Sequence, residues 1–466
     1  MTLIKSISGI RGTIGGKTGE GLNPCDVVKY SSAFATFILG ENKTCKIIVG
    51  RDARISGDMV NRLVCGTLMS KGVDVVDIGL STTPTVEMTV IELQAQGGII
   101  ITASHNPTHW NALKLLNAQG EFLSNAEATQ MLAIAENEQI NYTDAAHLGK
   151  YTQVDSMIDF HIKKITELKL VDVDAIRKAK FNVTIDCVNS TGGIALPALL
   201  TALGVEKIHK LYCDPTGKFP HNPEPLPENI GELSESVVKN KSHLGFVVDP
   251  DVDRLAIVCE DGEKFGEEYT LVAVADYVLM HTAGNTVSNL SSTSALRDVT
   301  KKYGQEYFTS AVGEVNVVEV MKQQHAVIGG EGNGGVIYPE IHYGRDALVG
   351  IALFLTHLAK AKLSCSMLRA KYPNYFISKN KIEVSADIDL YRILDKIKLK
   401  YKKQPVNTID GVRIDIENGW VHLRRSNTEP IIRIYAESDS MAKAESLAKK
   451  MVSDIKELMK NEDVDD

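Results

Sequence analysis

The sequence contains few cysteines and none of the spacings that build zinc sites or disulfide frameworks. Its seven cysteines stand at positions 25, 45, 65, 187, 213, 259 and 365, and no two of them form a Cys-x-x-Cys pair. Several lie within apolar runs, which predicts buried thiols in a reducing cytosol rather than cross-links or metal ligands.

Long apolar segments are also missing. The N-terminal Met-Thr-Leu-Ile-Lys lacks the apolar run of a signal peptide, and the apolar stretch 347–355 is too short to span a bilayer. We therefore expect a cytoplasmic protein without a membrane partner.

The chain has no excess of positive charge, because its formal net charge is -8. This balance argues against a broad nucleic-acid surface, although a few clustered arginines can still bind single phosphate groups. An anionic ligand would therefore be recognised locally.

The pattern that is present alternates strands with helices. Strands are predicted at 46–50 and 73–78, and helices at 58–71 and 85–95, which is typical of α/β domains with mainly parallel sheets. A chain of 466 residues is too long for one core and predicts about three or four domains.

The predicted domains are three α/β units, at 1–150, 151–254 and 255–370, followed by a smaller α+β unit at 371–466. The first boundary rests on a polar, strand-poor stretch at 124–153. In each α/β unit a predicted strand leads into a polar loop, and such loops are where α/β sheets meet ligands. We expect these loops and a fourth one in the last unit to converge.

The first loop follows the apolar run Gly-Ile-Ile-Ile and presents Ser104 beside His105. A serine held in place by a buried strand is a candidate nucleophile, while an ordinary loop residue is the alternative.

The second loop carries Asp249, Asp251 and Asp253 after the apolar strand Leu-Gly-Phe-Val-Val. Three carboxylates at alternate positions suit Mg²⁺ or Ca²⁺, which prefer oxygen ligands. An EF-hand is excluded because its sixth position, a required glycine, is Arg254 here. A solvated acidic turn is the alternative.

The third loop, 329–335, has five glycines around Glu331 and Asn333, two side chains suited to vicinal hydroxyls. Its spacing matches neither the dinucleotide nor the Walker A motif, and a plain glycine-rich turn is the alternative.

The fourth loop offers a phosphate-binding site, because guanidinium groups match phosphate oxygens; an ordinary hairpin turn is the alternative. Its candidate residues are Arg424, Ser426, Asn427, Thr428 and Arg433.

Together these segments resemble the α-D-phosphohexomutase family along essentially the whole chain. The resemblance rests on Thr-Ala-Ser-His-Asn-Pro, Asp-x-Asp-x-Asp-Arg, Gly-Glu-x-x-Gly and Arg-x-Ser-Asn-Thr-Glu-Pro, in that order. It implies three related α/β domains and a C-terminal domain around one central cleft. It also implies that Ser104 is a phosphoserine that joins the three aspartates at Mg²⁺, that Glu331 contacts sugar hydroxyls, and that 424–428 binds phosphate.

The resemblance further implies the reaction: interconversion of a hexose 6-phosphate and a hexose 1-phosphate through a hexose 1,6-bisphosphate. The opening Ser-Gly-Ile-Arg-Gly would place Arg11 at the active site, and Lys114 matches the family's Asn-Gly-x-Lys, with Ala112 in place of its glycine. His105 and Lys114 are the acid/base candidates, with Arg11 contacting phosphate or lowering a neighbour's pKa.

One position departs from the family pattern. Many members carry a histidine where this chain has Gly335, and His342 is a candidate replacement on proximity in sequence alone, with a structural role as the alternative.

The cues to the sugar disagree. The glycine-rich loop resembles archaeal phosphoglucosamine mutases, whereas Ser-Asn-Thr-Glu-Pro is closer to phosphomannomutases and phosphoglucomutases. We predict glucosamine phosphate as substrate, with mannose or glucose phosphate as the alternative. A metal-dependent sugar phosphatase and a catalytically silent sugar-phosphate sensor stay open as other classes. The sequence is silent on oligomeric state.

Overall fold

The computed structural model describes residues 1–6, 9–40, 45–137, 140–383, 390–425 and 431–462. The chain divides into two compact units. The larger unit comprises 1–281 and 333–369, and the smaller comprises 282–332 and 370–466. In the part of the chain described, helices that are both long and apolar enough to cross a membrane are not found.

The N-terminal part of the larger unit is a seven-stranded mixed sheet in the order β1-β2-β6-β5-β3-β4-β7. Strand β3 pairs in parallel with both β4 and β5, and β5 pairs antiparallel with β6. The elements are β1 (Leu3–Ser6), β2 (Gly9–Thr13), α1 (Pro24–Leu39), β3 (Lys46–Arg51), α2 (Gly57–Ser70), β4 (Asp74–Leu80), α3 (Thr83–Glu92), β5 (Gly97–Ile101), β6 (Trp110–Leu116), α4 (Asn125–Glu136) and β7 (Tyr151–Gln153).

The stretch 124–153, which the sequence analysis describes as polar and poor in strands, contains a helix and the last strand of this sheet. Ser124 and Glu127 form a capping box that starts α4, and strand β7 joins the sheet beside β4. The buried face of α4 consists of two alanines and a methionine. Because these side chains are small or few, the hydrophobic periodicity of the helix is weak in this polar stretch.

The second sheet of the larger unit has the order β11-β10-β8-β9, with β8 parallel to both of its neighbours. Strand β10 is buried at all five residues and delivers the acidic loop directly. The elements are α5 (Met157–Thr166), α6 (Val173–Ala179), β8 (Asn182–Asp186), α7 (Gly192–Ala202), β9 (Lys207–Leu211), α8 (Gly231–Lys239), β10 (Leu244–Val248), β11 (Leu255–Cys259) and α9 (Glu267–His281).

The smaller unit begins with parallel strands in the order β13-β12-β14. Its elements here are β12 (Thr286–Asn289), α10 (Ser294–Lys302), β13 (Tyr307–Ser310), α11 (Glu314–Gln323) and β14 (Ile328–Glu331). The chain then re-enters the larger unit with β15 (Gly335–Ile337), α12 (Ala347–Ala361) and α13 (Cys365–Arg369). The predicted loop 329–335 is therefore partly strand. A Cβ at Gly329 would lie 2.5 Å from Met321 Sδ, so close packing against α11 excludes a side chain there and hides the strand's pattern.

The C-terminal part of the smaller unit is an antiparallel sheet in the order β16-β20-β19-β18-β17 covered by two helices. Its elements are β16 (Phe376–Glu383), α14 (Leu390–Lys400), β17 (Val406–Asn407), β18 (Val412–Ile416), β19 (Gly419–Arg425), β20 (Ile431–Ser438) and α15 (Met441–Glu462). The predicted fold class, mainly parallel α/β sheets followed by an α+β piece, is confirmed.

The prediction of buried cysteines needs one correction. Five of the seven thiols are buried, but Cys213 is half-buried and Cys25 is exposed at the start of α1.

Candidate active site

Ser104 lies three residues beyond the end of β5, where the strand gives way to the polar loop. Its φ of +48° is in the left-handed region, which costs a residue with a Cβ roughly 1–3 kcal/mol. Its amide donates to Thr102 Oγ1 at 2.9 Å, and the residue is only 3% exposed. The serine is therefore held in one strained, buried conformation.

Arg54 supplies the constraint that holds this loop. All five of its N–H groups have acceptors: Asp52 Oδ2 at 3.0 Å, Pro107 O at 2.7 Å, Trp110 O at 3.0 Å, Ser104 O at 2.5 Å and Asn106 O at 2.7 Å. The side chains of Arg54 and Asp52 are fully buried. This buried arginine–carboxylate pair therefore holds the backbone of the serine loop.

The acidic loop after β10 is held by its backbone carbonyls. Pro250 O accepts hydrogen bonds from the hydroxyls of Ser190 and Thr191 at 2.7 and 2.8 Å. Asp251 O accepts from the Thr83 amide at the start of α3. Val252 O accepts from the Ala347 amide at the start of α12, and Val252 itself has a φ of +63°, in the left-handed region. Three separate elements thus shape a five-residue turn.

The three carboxylates of this loop form a cluster suited to a divalent cation. Asp249, Asp251 and Asp253 are fully buried, and each offers an oxygen within 4.8 Å of the others. Among the described residues, Asp251 Oδ1 and Asp253 Oδ1 have no hydrogen-bond partner. Burial, together with Asp253 and Asp251, raises the pKa of Asp249 well above its ordinary value. Buried carboxylate oxygens that accept no hydrogen bond, in a cluster where burial and like charge oppose the ionisation of Asp249, fit a divalent cation such as Mg²⁺.

Two cations flank the same carboxylates. Lys114, which lies on β6 opposite Ile100 of β5, places Nζ 2.7 Å from Asp251 Oδ2 and 3.5 Å from Asp253 Oδ2. Arg345 Nη2 donates to Asp253 Oδ2 at 2.7 Å. Although burial opposes both charges, the ion pairs hold the pKa of Asp253 below its ordinary value and that of Lys114 above its ordinary value. Lys114 is therefore a charged group in this geometry.

Ser104 joins the acidic cluster directly. Its hydroxyl donates to Asp249 Oδ2 at 2.8 Å, and His105 Nδ1 lies 3.2 Å from the same Oγ. Burial and the guanidinium groups of Arg254 and Arg11 hold the pKa of His105 well below its ordinary value. A neutral imidazole beside the serine hydroxyl can accept or return a proton at neutral pH.

Two further arginines, Arg11 and Arg254, lie near Ser104 and His105. Arg11 Nη1 donates to Asn106 Oδ1 of the serine loop at 2.9 Å. Arg254 Nη1 donates to Glu224 Oε1 at 3.0 Å, and the same oxygen lies 3.8 Å from His105 Nε2. The structure thus brings Arg11, Lys114 and the three aspartates to Ser104 and His105.

The two polar residues predicted for the sugar loop belong to different units. Glu331, at the end of β14 in the smaller unit, is 3% exposed and accepts from Asn289 Nδ2 at 2.8 Å and from the Gly313 amide at 3.0 Å. Asn333, in the larger unit, accepts the Gly335 amide through Oδ1 at 3.2 Å. Their roles toward a sugar stay predictions.

The predicted phosphate loop is described only at its edges. Arg424 on β19 pairs across the sheet with Arg433 on β20, so the two side chains share a face. Arg424 Nε lies 3.3 Å from Asp410 Oδ2. Ser426, Asn427 and Thr428 lie outside the described residues, as does Ser8 of the opening motif.

His342, the candidate replacement for the family histidine, points into a buried network. Its Nδ1 lies 3.2 Å from Glu87 Oε2 and its Nε2 lies 3.4 Å from Asp346 Oδ2. His161 Nε2 contacts the same Asp346 oxygen at 3.0 Å. Although burial opposes the charge, Asp346 and Glu87 raise the pKa of His342 to about 10. This arrangement favours the structural alternative.

That raised pKa predicts a pH-dependent stability. The folded His342 binds its proton more tightly than the unfolded side chain, whose pKa is about 6.5. Its stabilisation is fully present below pH ~6.5 and lost as the pH rises through about 10. We expect urea unfolding of the wild type to lose a few kcal/mol, as an order of magnitude, across this window. His342→Gln should be less stable at pH 6.5 and should lack this part of the decline; parallel curves for the two proteins would contradict the assignment.

Sequence reasoning missed several residues that shape the site. Thr83, whose hydroxyl donates to Asp251 Oδ2 at 2.6 Å, carries only the signal of a Thr-Pro helix start. Glu224 stands in a proline-rich connection, and Arg345 stands in a segment noted only for its histidine. No local pattern connects these residues to the acidic loop.

Comparison with known proteins relates the whole chain to one group. Residues 3–141, 159–262 and 266–375 match the descriptions of phosphoglucomutase/phosphomannomutase α/β/α domains I, II and III. Residues 381–453 match the C-terminal domain of the same group.

Individual relatives cover nearly the full length. A phosphoglucomutase/phosphomannomutase of Thermococcus kodakarensis is 34% identical over 443 residues, which cover 93% of this chain and 95% of the relative. A phosphoglucosamine/phosphogalactosamine mutase of Sulfurisphaera tokodaii is 33% identical over 458 residues, covering 97% and 98%. A crystal structure of a phosphoglucomutase/phosphomannomutase family protein from Burkholderia thailandensis aligns with a TM-score of 0.83 at 25% identity, covering 97% of this chain and 98% of that one.

Proposed function

Because the chain belongs to the α-D-phosphohexomutase family and is a phosphohexomutase, we propose that it converts glucosamine 6-phosphate to glucosamine 1-phosphate. Ser104, once phosphorylated, passes its phosphoryl group to one hydroxyl of the bound sugar phosphate. The resulting hexosamine 1,6-bisphosphate reorients and returns its other phosphoryl group to Ser104. No phosphate is gained or lost over the cycle, and a bisphosphate is needed to prime the serine.

The observation that carries this proposal is the hydrogen bond from Ser104 Oγ to Asp249 Oδ2 at 2.8 Å. It places the candidate phosphate carrier in contact with a buried carboxylate cluster, and a phosphate on Ser104 would be repelled by those carboxylates. A divalent cation held by these carboxylates would resolve that conflict, because phosphoryl transfer depends chiefly on positioning and on neutralising charge.

We propose Asp249, Asp251 and Asp253, together with the phosphorylated Ser104, as the residues that hold Mg²⁺. The bound ion would supply neutralisation of charge on the transferring phosphoryl group. Lys114 and Arg11 add fixed positive charge on the same side, which suits them to phosphoryl oxygens rather than to proton abstraction.

The proton transfers fall to His105 in this proposal. Its ring is neutral near pH 7 and its Nδ1 lies 3.2 Å from Ser104 Oγ. When Ser104 gives up the phosphoryl group, its oxygen takes up the proton that the attacking sugar hydroxyl loses. When Ser104 accepts a phosphoryl group, its hydroxyl proton passes to the sugar oxygen that is released. His105 is within hydrogen-bond reach of both events.

The remaining substrate contacts are assigned by the family motifs. Glu331 and Asn333 are proposed to bind sugar hydroxyls, and Arg424, Ser426, Asn427, Thr428 and Arg433 to bind the phosphate that is not being transferred. Glucosamine is chosen over mannose and glucose because a relative in Methanopyrus kandleri at 30% identity is called a probable phosphoglucosamine mutase, and the relative in Sulfurisphaera tokodaii at 33% identity is called a phosphoglucosamine/phosphogalactosamine mutase.

The decisive experiment compares three substrates. Purified protein with Mg²⁺ and a hexose 1,6-bisphosphate is supplied with glucosamine 6-phosphate, mannose 6-phosphate or glucose 1-phosphate, and the isomerised product and inorganic phosphate are both quantified. We expect the highest kcat/KM on glucosamine 6-phosphate, with phosphate release far below isomerisation, and no turnover after EDTA treatment.

The other outcomes separate the alternatives. A kcat/KM on glucosamine 6-phosphate far below the other two would show that a different hexose phosphate is the preferred substrate. Phosphate release without isomerised product would indicate a phosphatase, and binding without either product would indicate a sensor. Protein with Ser104→Ala, purified in the same way, measures any contaminating mutase.

A further inference from the structure

We propose that Arg345 is a positioning residue of the acidic loop, and that Gly335 is glycine because the Arg345 side chain occupies the space a side chain there would need. The proposal rests on the proposed function in taking Asp253 as a ligand of a divalent cation. It assigns a role to a residue that no motif singled out.

The first observation is the fit between the two residues. A Cβ built on Gly335 would lie 2.3 Å from Arg345 Cδ and 3.0 Å from Cγ, which real side chains do not tolerate. The Asp346 amide donates to Val336 O at 2.8 Å, so the two segments run side by side. The neighbouring Gly334, with a φ of +89°, is equally closed, because its Cβ would lie 2.3 Å from Leu255 O. A side chain at position 335 would therefore displace the Arg345 side chain from the place it occupies.

The second observation is where the guanidinium ends. Nη2 donates to Asp253 Oδ2 at 2.7 Å, and the Arg345 side chain is only 10% exposed. Asp253 is left with Oδ1, which has no hydrogen-bond partner among the described residues. A hydrogen bond on one carboxylate oxygen fixes the orientation of the other, and such outer contacts on a ligand typically change metal affinity 10–100-fold.

The third observation concerns His342, three residues earlier. Both of its ring nitrogens face carboxylates of the buried network, Glu87 and Asp346. Asp346 in turn caps α12, with its Oδ1 accepting from the Leu348 amide at 2.8 Å. His342 thus anchors the segment, while Arg345 is the residue of that segment that reaches the acidic loop.

The test measures Mn²⁺ binding by electron paramagnetic resonance in the sugar-free protein, for Arg345→Met, Gly335→Ala and the double variant. Removing a positive charge beside Asp253 would by itself tighten cation binding. A positioning role predicts the opposite, a loss of roughly 10-fold or more in Arg345→Met. Gly335→Ala keeps every charge but displaces Arg345, so it should show a similar loss, and the double variant should lose little more.

Gly350→Ala in α12 is the matched control, because its Cβ would meet Leu255 Cδ2 at an ordinary 3.4 Å, and its affinity should be unchanged. Unchanged or tighter Mn²⁺ binding in Arg345→Met, additive losses in the double variant, or a wild type that binds no Mn²⁺ would each overturn the proposal. If Arg345→Met fails to fold by circular dichroism, Gly335→Ala alone decides. Because no sugar is present, a wild type without mutase turnover would end the proposed function and leave this test standing.

Discussion

Ser104→Ala is expected to abolish mutase turnover, with a loss of roughly 10⁴-fold or more, as for removal of other essential nucleophiles. The alanine has no oxygen to carry the phosphoryl group. Neither His105 nor Lys114 offers a hydroxyl that donates to Asp249, so neither can replace the serine. Turnover is measured with the preferred sugar phosphate, and phosphorylation by intact-mass spectrometry after incubation with a hexose 1,6-bisphosphate. The wild type should gain one phosphate and the variant none.

The same variant should fold and still bind sugar phosphate. Asp249 loses the hydrogen bond to its Oδ2, but its Oδ1 still accepts from the amides of Asp253 and Arg254 at 3.2 Å. Ser56→Ala is a suitable control, because it removes a nearby hydroxyl that accepts from Asn111 Nδ2 without touching the acidic loop. Mutase activity retained in Ser104→Ala would rule out a phosphoserine mechanism.

Arg54→Met is expected to cause the largest loss of stability among the residues around the site. The change removes the ion-pair partner of the buried Asp52 and takes one donor from each of the carbonyls of Ser104, Asn106, Pro107 and Trp110. Breaking a buried ion pair from one side typically costs about 3–5 kcal/mol. Losing these hydrogen bonds removes much of what offsets the strain at the left-handed Ser104, so turnover should fall with stability.

Urea unfolding and kcat on one protein preparation check this prediction. Arg54→Lys should recover little, because an ammonium group offers three donors from one point while the clamp uses five in a planar fork. Arg51→Met is the matched control, since the Arg51 guanidinium makes a single 3.3 Å hydrogen bond to Asp52 O among those described. A stable Arg54→Met variant with normal turnover would show that the loop holds its shape by other means.

The sequence predicted the chemistry of the site from segments that are contiguous in the chain. Three aspartates within five residues, or a serine directly after a buried strand, can be recognised locally because the ligand atoms are brought together by one turn. The α/β class followed for the same reason, since hydrophobic periodicity reports the local element. Where glycine or alanine replaces large apolar side chains, that signal weakens: the sequence analysis leaves α4 unpredicted and assigns most of β14 to a loop.

Only the tertiary structure decided which distant residues shape those segments. Thr83 and Asp251 are 168 positions apart, Arg345 and Asp253 are 92 apart, and Arg54 and Ser104 are 50 apart. Arg54 and Ser104 follow neighbouring strands of one sheet, whereas Thr83 and Arg345, next to the starts of α3 and α12, reach a loop that follows a strand of another sheet. These meetings depend on the packing of the complete core and not on any local pattern. The sequence by itself therefore determined which groups are the candidates for the chemistry, whereas packing determined how Ser104, Asp251 and Asp253 are held.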